Sequence, residues 1–117
     1  MIKIGETVYS ILSTDAEVTG IVGNKIYPIV ADVGTTFPFI VYKKGSYIPT
    51  YTKDGISNKR ATVEIIIASD KYNISVDLAE KVFNAISAKD RKFRLAINTE
   101  DYIEDTFIQT LTYNIEK

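Results

Sequence analysis

The chain has 117 residues, of which 45% are hydrophobic and 25% are charged, and these fractions are typical of one globular domain. Lys and Arg total 14 against 15 Asp and Glu, a formal net charge of -1, which lacks the basic excess of a nucleic-acid-binding protein. The absence of Cys and His excludes disulfides, thiol nucleophiles, Cys/His zinc sites and every His-based triad.

We expect no targeting or membrane segment in this sequence. The first six residues contain no apolar run long enough for a signal peptide, and no stretch approaches the ~20 apolar residues that cross a bilayer. The one basic cluster, Lys89 to Arg94, is interpreted as a solvated connection between a helix and a strand. We therefore expect a protein made and used in solution.

Apolar side chains recur at helical spacing over residues 2–13 and predict a first helix. They are Ile4, Val8, Ile11 and Leu12. Asp15, with Thr14, is typical of the cap of a short second turn that runs to Val18 and is closed by Gly20 and Gly23.

Two long strands are predicted in the middle of the chain. Residues 26–30 surround Pro28 and favour an edge strand or extended arm, because proline cannot donate to a strand ladder. Residues 37–42 open a longer strand, and residues 60–69 alternate apolar and polar side chains. The Asp54-Gly55 pair between them is a hairpin turn signal.

The last third predicts a helix and two strands. Asn73 or Ser75 is expected to cap a helix that ends near residue 88, with an apolar stripe on one side. Strands are predicted around residues 93–97 and 107–115, and Gln109 is a polar exception on the apolar face of the second.

These elements predict an α+β fold in a single domain, residues 1–117. Its sheet is mostly antiparallel, with four to five strands, two main helices packed on one face and a long protruding hairpin. The predicted core consists of Val8, Ile11, Leu12, Val63, Ile65, Ile67, Leu78, Val82, Phe83, Ile86, Leu95 and Leu111.

Carboxylates gather at Glu100, Asp101, Glu104 and Asp105. Their order does not match a calcium loop and no glycine lets the chain wrap an ion, so they are interpreted as an acidic, solvated connection between the last two strands. We expect no catalytic residue, no cofactor-binding residue and no metal site.

The segment from Lys43 to Arg60 is longer than a hairpin turn requires. A projecting hairpin would expose apolar side chains that a partner protein could cover, whereas the alternative is a loose surface loop. The candidate protein-interaction residues are Tyr47, Ile48, Tyr51, Lys53 and Asp54.

The chain resembles the small tail-completion, or head-to-tail joining, proteins of long-tailed phages and prophages. The similarity covers nearly the whole length. Its most specific part is Ile26-Tyr27-Pro28 followed by Pro38-Phe39-Ile40-Val41-Tyr42, whereas Lys43-Lys44-Gly45 departs from the pattern. The other matching segments are residues 9–12, 16–23, 61–69, 76–86 and 101–106.

The resemblance implies a structural virion protein without catalytic residues or cofactors. It would be assembled in the bacterial host cytoplasm and would form a homo-oligomeric ring, a hexamer, at the head-proximal end of the tail. Its other partners would be the tail tube protein and the head connector or stopper protein, with no membrane and no specific nucleic acid. The alternatives are a dimeric ligand-binding or regulatory module and a small enzyme that uses carboxylates.

Overall fold

The computed structural model describes residues 2–116, except for the side chain of Ser57. In chain order its elements are α1 (Ile4–Thr14), α2 (Ala16–Val22), β1 (Ile26–Pro28), β2 (Phe39–Thr52), β3 (Gly55–Ser69), α3 (Tyr72–Lys89), β4 (Phe93–Ile103) and β5 (Thr106–Glu116). Among the helices formed by residues 2–116, none combines the length and apolar character that a membrane crossing needs.

The strands form one 5-stranded sheet in the order β1-β2-β3-β5-β4. The β1–β2 pairing is parallel and the other pairings are antiparallel, so the predicted α+β class and mostly antiparallel sheet are confirmed. β1 pairs only with residues 40–42 of β2. Within residues 2–116, β1, β4 and the part of β2 after Tyr42 therefore form the edges of the sheet.

The link between α1 and α2 is a capped turn, as predicted. An oxygen of the Asp15 side chain accepts hydrogen bonds from the backbone N–H groups of Glu17 (3.0 Å) and Val18 (3.1 Å), which satisfies donors that a helix start leaves free. α2 continues beyond Val18 to Val22 and ends at Gly23, whose φ of 63° suits glycine.

The predicted cap of α3 is wrong. The helix begins at Tyr72, one residue before Asn73, and Lys71 precedes it without a side-chain cap. Ser75 lies within the helix, where its hydroxyl donates to the Tyr72 carbonyl at 2.6 Å. A serine one turn inside a helix bonds back to the preceding turn, so its presence does not mark the helix start.

The core lies between the helices and one face of the sheet, and its buried residues form one cluster. Most of the predicted core residues are buried, but Phe83 and Leu95 are each 38% exposed, so these two predictions are wrong. Several residues outside the predicted core are almost completely enclosed: Val18, Val22, Ile40 and Tyr113.

Candidate functional site

The β2–β3 hairpin projects from the body of the protein. Its strands stay paired as far as Thr52 and Gly55, so it is a hairpin and not a loose loop. β5 accompanies β3 only to the pair of Arg60 with Glu116. Beyond that pair, the described chain places no third strand beside the hairpin, and the molecule is 52 Å long but only 28 and 24 Å across. We call residues 43–60 the arm; residues 49–59 are the part of it that extends beyond the strands shared with β5.

The arm carries apolar side chains in water. Ile48 is 59% exposed and Tyr51 is 72% exposed, whereas Tyr47 is half-buried. Lys53 and Asp54 are exposed at the turn. Sequence reasoning missed Ile56, which is the cross-strand partner of Tyr51 and is 48% exposed; aligning the two strands from the Asp54-Gly55 turn would have identified it.

A glycine sets the geometry where the arm leaves the body. The register shifts between Lys44 and Ser46, which makes Gly45 the extra residue of a β-bulge, a feature that bends a strand. A Cβ atom on Gly45 would lie 2.5 Å from the Thr62 hydroxyl oxygen, and that hydroxyl is 3.0 Å from the Ser46 hydroxyl. A side chain at position 45 would therefore displace the Thr62 hydroxyl, which favours glycine at this bulge.

Polar contacts hold the base of the arm to the sheet. Lys43 Nζ lies 3.3 Å from Glu64 Oε2, and Arg60 Nε lies 3.6 Å from Glu116 Oε1. Asn58 Nδ2 donates to the same Glu116 oxygen at 3.0 Å. This hydrogen bond, together with the Arg60 charge, lowers the pKa of the Glu116 carboxyl, so the contacts favour its ionised form.

A groove runs between α3 and β4 on the helix-covered face of the sheet. Its first part, about 290 Å³, has apolar walls formed by Val76, Ala79, Phe83, Leu95 and Leu111. Its polar lining residues are Glu80, Asn98 and Gln109. Gln109 also lines a second part of about 320 Å³, together with Tyr72, Glu100, Asp101, Tyr102 and Phe107. We call these two parts together the groove.

The groove exists because α3 does not extend over the edge strand. α3 packs against β3 and β5, and every residue of β4 after Phe93 is exposed. Phe83 and Leu95 lie on the apolar sides of their own elements but face each other across this uncovered strip. This arrangement is the physical reason that both predictions of burial failed.

The four carboxylates were predicted to lie in the connection between the last two strands, and this prediction is wrong for two of them. Glu100 and Asp101 belong to β4, and only Glu104 and Asp105 form the turn, with φ angles of 51° and 61°. Within the part of the chain that the structure describes, these carboxylates form no group that could hold a metal ion.

Glu100 organises the polar end of the groove. It accepts hydrogen bonds from the Tyr72 hydroxyl at 3.0 Å and from Gln109 Nε2 at 2.8 Å. The bond to Glu100 raises the pKa of the Tyr72 hydroxyl. These bonds explain why Gln109 is tolerated on a buried face, since a buried amide needs partners, and they tie β4 to the start of α3.

Nearly the whole chain is similar in structure to a chain of a gene transfer agent virion. A solved structure described as "Virion of native gene transfer agent (GTA) particle" contains a chain that superposes with a TM-score of 0.78 and 17% sequence identity, covering 93% of this chain and 90% of that chain. No protein-family model matches the sequence, and no curated protein matches it significantly. The similarity establishes a shared fold over nearly the full length of both chains.

Proposed function

We propose that the protein is a structural subunit of a phage-like virion, which caps the tail tube and joins the tail to the head connector as a homo-oligomeric ring. The observation that carries this proposal is the near-complete structural overlap with a chain of a gene transfer agent virion. A shared fold alone does not specify function. The residue-level resemblance to tail-completion proteins supports the same assignment independently.

The arm supports assembly with other protein chains. Aromatic and aliphatic side chains on a projecting ribbon bury much area on contact, and Tyr loses few rotamers in doing so. Tyr51 and Ile56, which are paired across the hairpin, and Ile48 are the exposed apolar side chains of this ribbon. Its partners would be neighbouring subunits, the tail tube protein and the head connector or stopper protein.

The functional test shortens the arm and keeps the strand pairs that β3 makes with β5. Ile48 and Arg60 are paired across the hairpin, so residues 49–59 can be replaced by a two-residue Asn-Gly turn. We expect a folded protein that no longer forms rings in electron micrographs. In bacteria that carry the phage-like genome without the wild-type gene, the shortened protein should not restore joined heads and tails.

A full-length variant separates the surface of the arm from its length. In this variant Thr replaces Ile48, Tyr51 and Ile56, which keeps residues that form strands well but removes the apolar side chains. The control is Val33→Thr, which changes a loop residue that is 106% exposed. The triple variant should fail in assembly and the control should assemble normally. Normal rings and normal particle yield from the shortened protein would contradict an interaction role for the arm.

A further inference from the structure

We propose that two free subunits pair through the edge strand β4, which binds the β4 of a second copy in antiparallel orientation and continues the sheet across a two-fold axis. Within residues 2–116, β4 pairs with β5 alone, so one side of this 11-residue strand presents unpaired backbone groups. A ring repeats one contact by rotation, whereas a two-fold contact closes at two copies. The proposal therefore goes beyond the proposed ring and is separate from it.

β4 is the edge of the sheet that is least protected against strand pairing. Short length, lysine and proline are features that keep edge strands apart. β1 has only three residues and ends at Pro28, and the part of β2 after residue 42 carries two lysines and a proline. β4 contains neither Pro nor Lys, and its inward-facing Glu100 is already hydrogen-bonded within its own subunit.

The two ends of β4 carry opposite charge, and this identifies a second copy as the partner. Residues 89–94 contain four cations and one acid, whereas residues 98–110 contain four acids and no cation. In an antiparallel pair, the basic end of each strand lies beside the acidic end of the other. The charges therefore match twice, and such complementarity steers and aligns a contact.

The cations at the basic end are available for a partner. Arg91, Lys92 and Arg94 line one cleft of about 620 Å³, and none of them forms an ion pair within the described chain. The acid that lines the same cleft, Glu116, already contacts Arg60 at 3.6 Å.

The bulge in β4 puts the opposite charges on one face of the sheet. Arg94 and Asp101 are separated by an odd number of positions, so in a regular strand they would lie on opposite faces. The extra residue Ala96 shifts this alternation. Arg94 pairs with Asn114 and Asp101 pairs with Ile108, and both of these β5 residues lie on the face away from the buried side chains.

One register matches both the faces and the charges. Counted along their β5 partners, Arg94 and Asp101 lie three positions on either side of Asn98. A two-fold axis at Asn98 therefore places the Arg94 of each copy directly opposite the Asp101 of the other. Three residues further out in each direction, Arg91 approaches the Glu104 of the other copy.

The position of α3 leaves room for the second copy. α3 packs against β3 and β5, and β4 is exposed after Phe93. Neighbouring strands lie about 4.8 Å apart, so the two β5 strands of the pair would be separated by three such spacings, roughly 14 Å. Helices in direct contact are about 8–10 Å apart, so the two α3 helices would not collide.

Charge reversal tests the pairing by sedimentation equilibrium. The wild type should show a reversible monomer–dimer equilibrium at micromolar concentrations, because one pair of strands makes a small interface. The variant Arg91→Glu/Arg94→Glu and the variant Asp101→Lys/Glu104→Lys should each dimerise at least about tenfold more weakly. Their equimolar mixture should regain the dimer, because the reversed ends are again complementary.

The matched control is Lys3→Glu/Lys53→Glu. It changes the net charge by the same amount as Arg91→Glu/Arg94→Glu, at two exposed positions outside β4. This control should dimerise like the wild type. Equal weakening in both variants would mean that net charge alone controls association, and it would overturn the proposed match between the ends of β4.

A single engineered cysteine tests the position of the axis, because the natural chain contains no Cys. Asn98→Cys changes an exposed residue and places two thiols opposite each other, with about 4.5–5.5 Å between their Cβ atoms. That spacing is close to the geometry of a disulfide. With diamide, the disulfide dimer should form about tenfold faster than from Val33→Cys, an exposed loop position, because pairing raises the local thiol concentration.

The results that would overturn β4 pairing are distinct from those that would overturn the virion role. A wild-type chain that stays monomeric up to millimolar concentration would overturn the pairing. So would a mixture of the two charge-reversed variants that stays monomeric, or equal cross-linking rates at positions 98 and 33. Rings in micrographs from protein that shows no Asn98→Cys cross-link would overturn the pairing and leave the virion role standing.

Discussion

Phe83→Ala and Ile86→Ala lie one turn apart on α3 and should have very different effects. Ile86 is 0% exposed, so its truncation leaves an enclosed cavity and should cost about 2–5 kcal/mol of unfolding free energy. A fully buried Phe would cost about 3–5 kcal/mol. Because Phe83 is 38% exposed and water can enter the groove, we expect its truncation to cost only about 1–2 kcal/mol.

Urea unfolding followed by far-UV circular dichroism measures both values by linear extrapolation. Truncation of a fully buried Phe costs about 3–5 kcal/mol. A loss of about 3 kcal/mol or more for Phe83→Ala would therefore contradict the conclusion that the groove leaves Phe83 open to water. So would equal losses for the two variants.

Two further substitutions test local geometry. Gly45→Ala should cost about 1–3 kcal/mol because the new Cβ collides with the Thr62 hydroxyl, and adding Thr62→Ala should recover part of that loss in the same urea assay. Tyr113→Phe should be neutral or stabilising by about 1 kcal/mol, because the buried Tyr113 hydroxyl has no hydrogen-bond partner within residues 2–116. Burial raises the pKa of Tyr113 to about 12 from 10.0. Between pH 10 and 12 this tyrosine therefore ionises in the unfolded chain before it ionises in the folded one, which lowers the free energy of unfolding as pH rises. The wild type should lose more stability than Tyr113→Phe across that interval.

Local sequence patterns determined much of the fold. The alternation in residues 60–69 and 107–115 identified β3 and β5 and their buried faces, and it located Gln109 on the apolar side. Asp15 was recognised as a cap and Asp54-Gly55 as a turn, because turn and cap chemistry acts over a few residues. The missing Cys and His excluded whole classes of site without any structural information.

Only the tertiary structure decided what covers each apolar face. Periodicity shows which side of a helix or strand is apolar, but not whether another element lies against it. The strand order placed β4 at the edge, beyond the reach of α3, and so left Phe83 and Leu95 exposed. The same placement brought Glu100 to Tyr72, which is 28 residues away in the chain. Non-local pairing created the groove, which no single segment encodes.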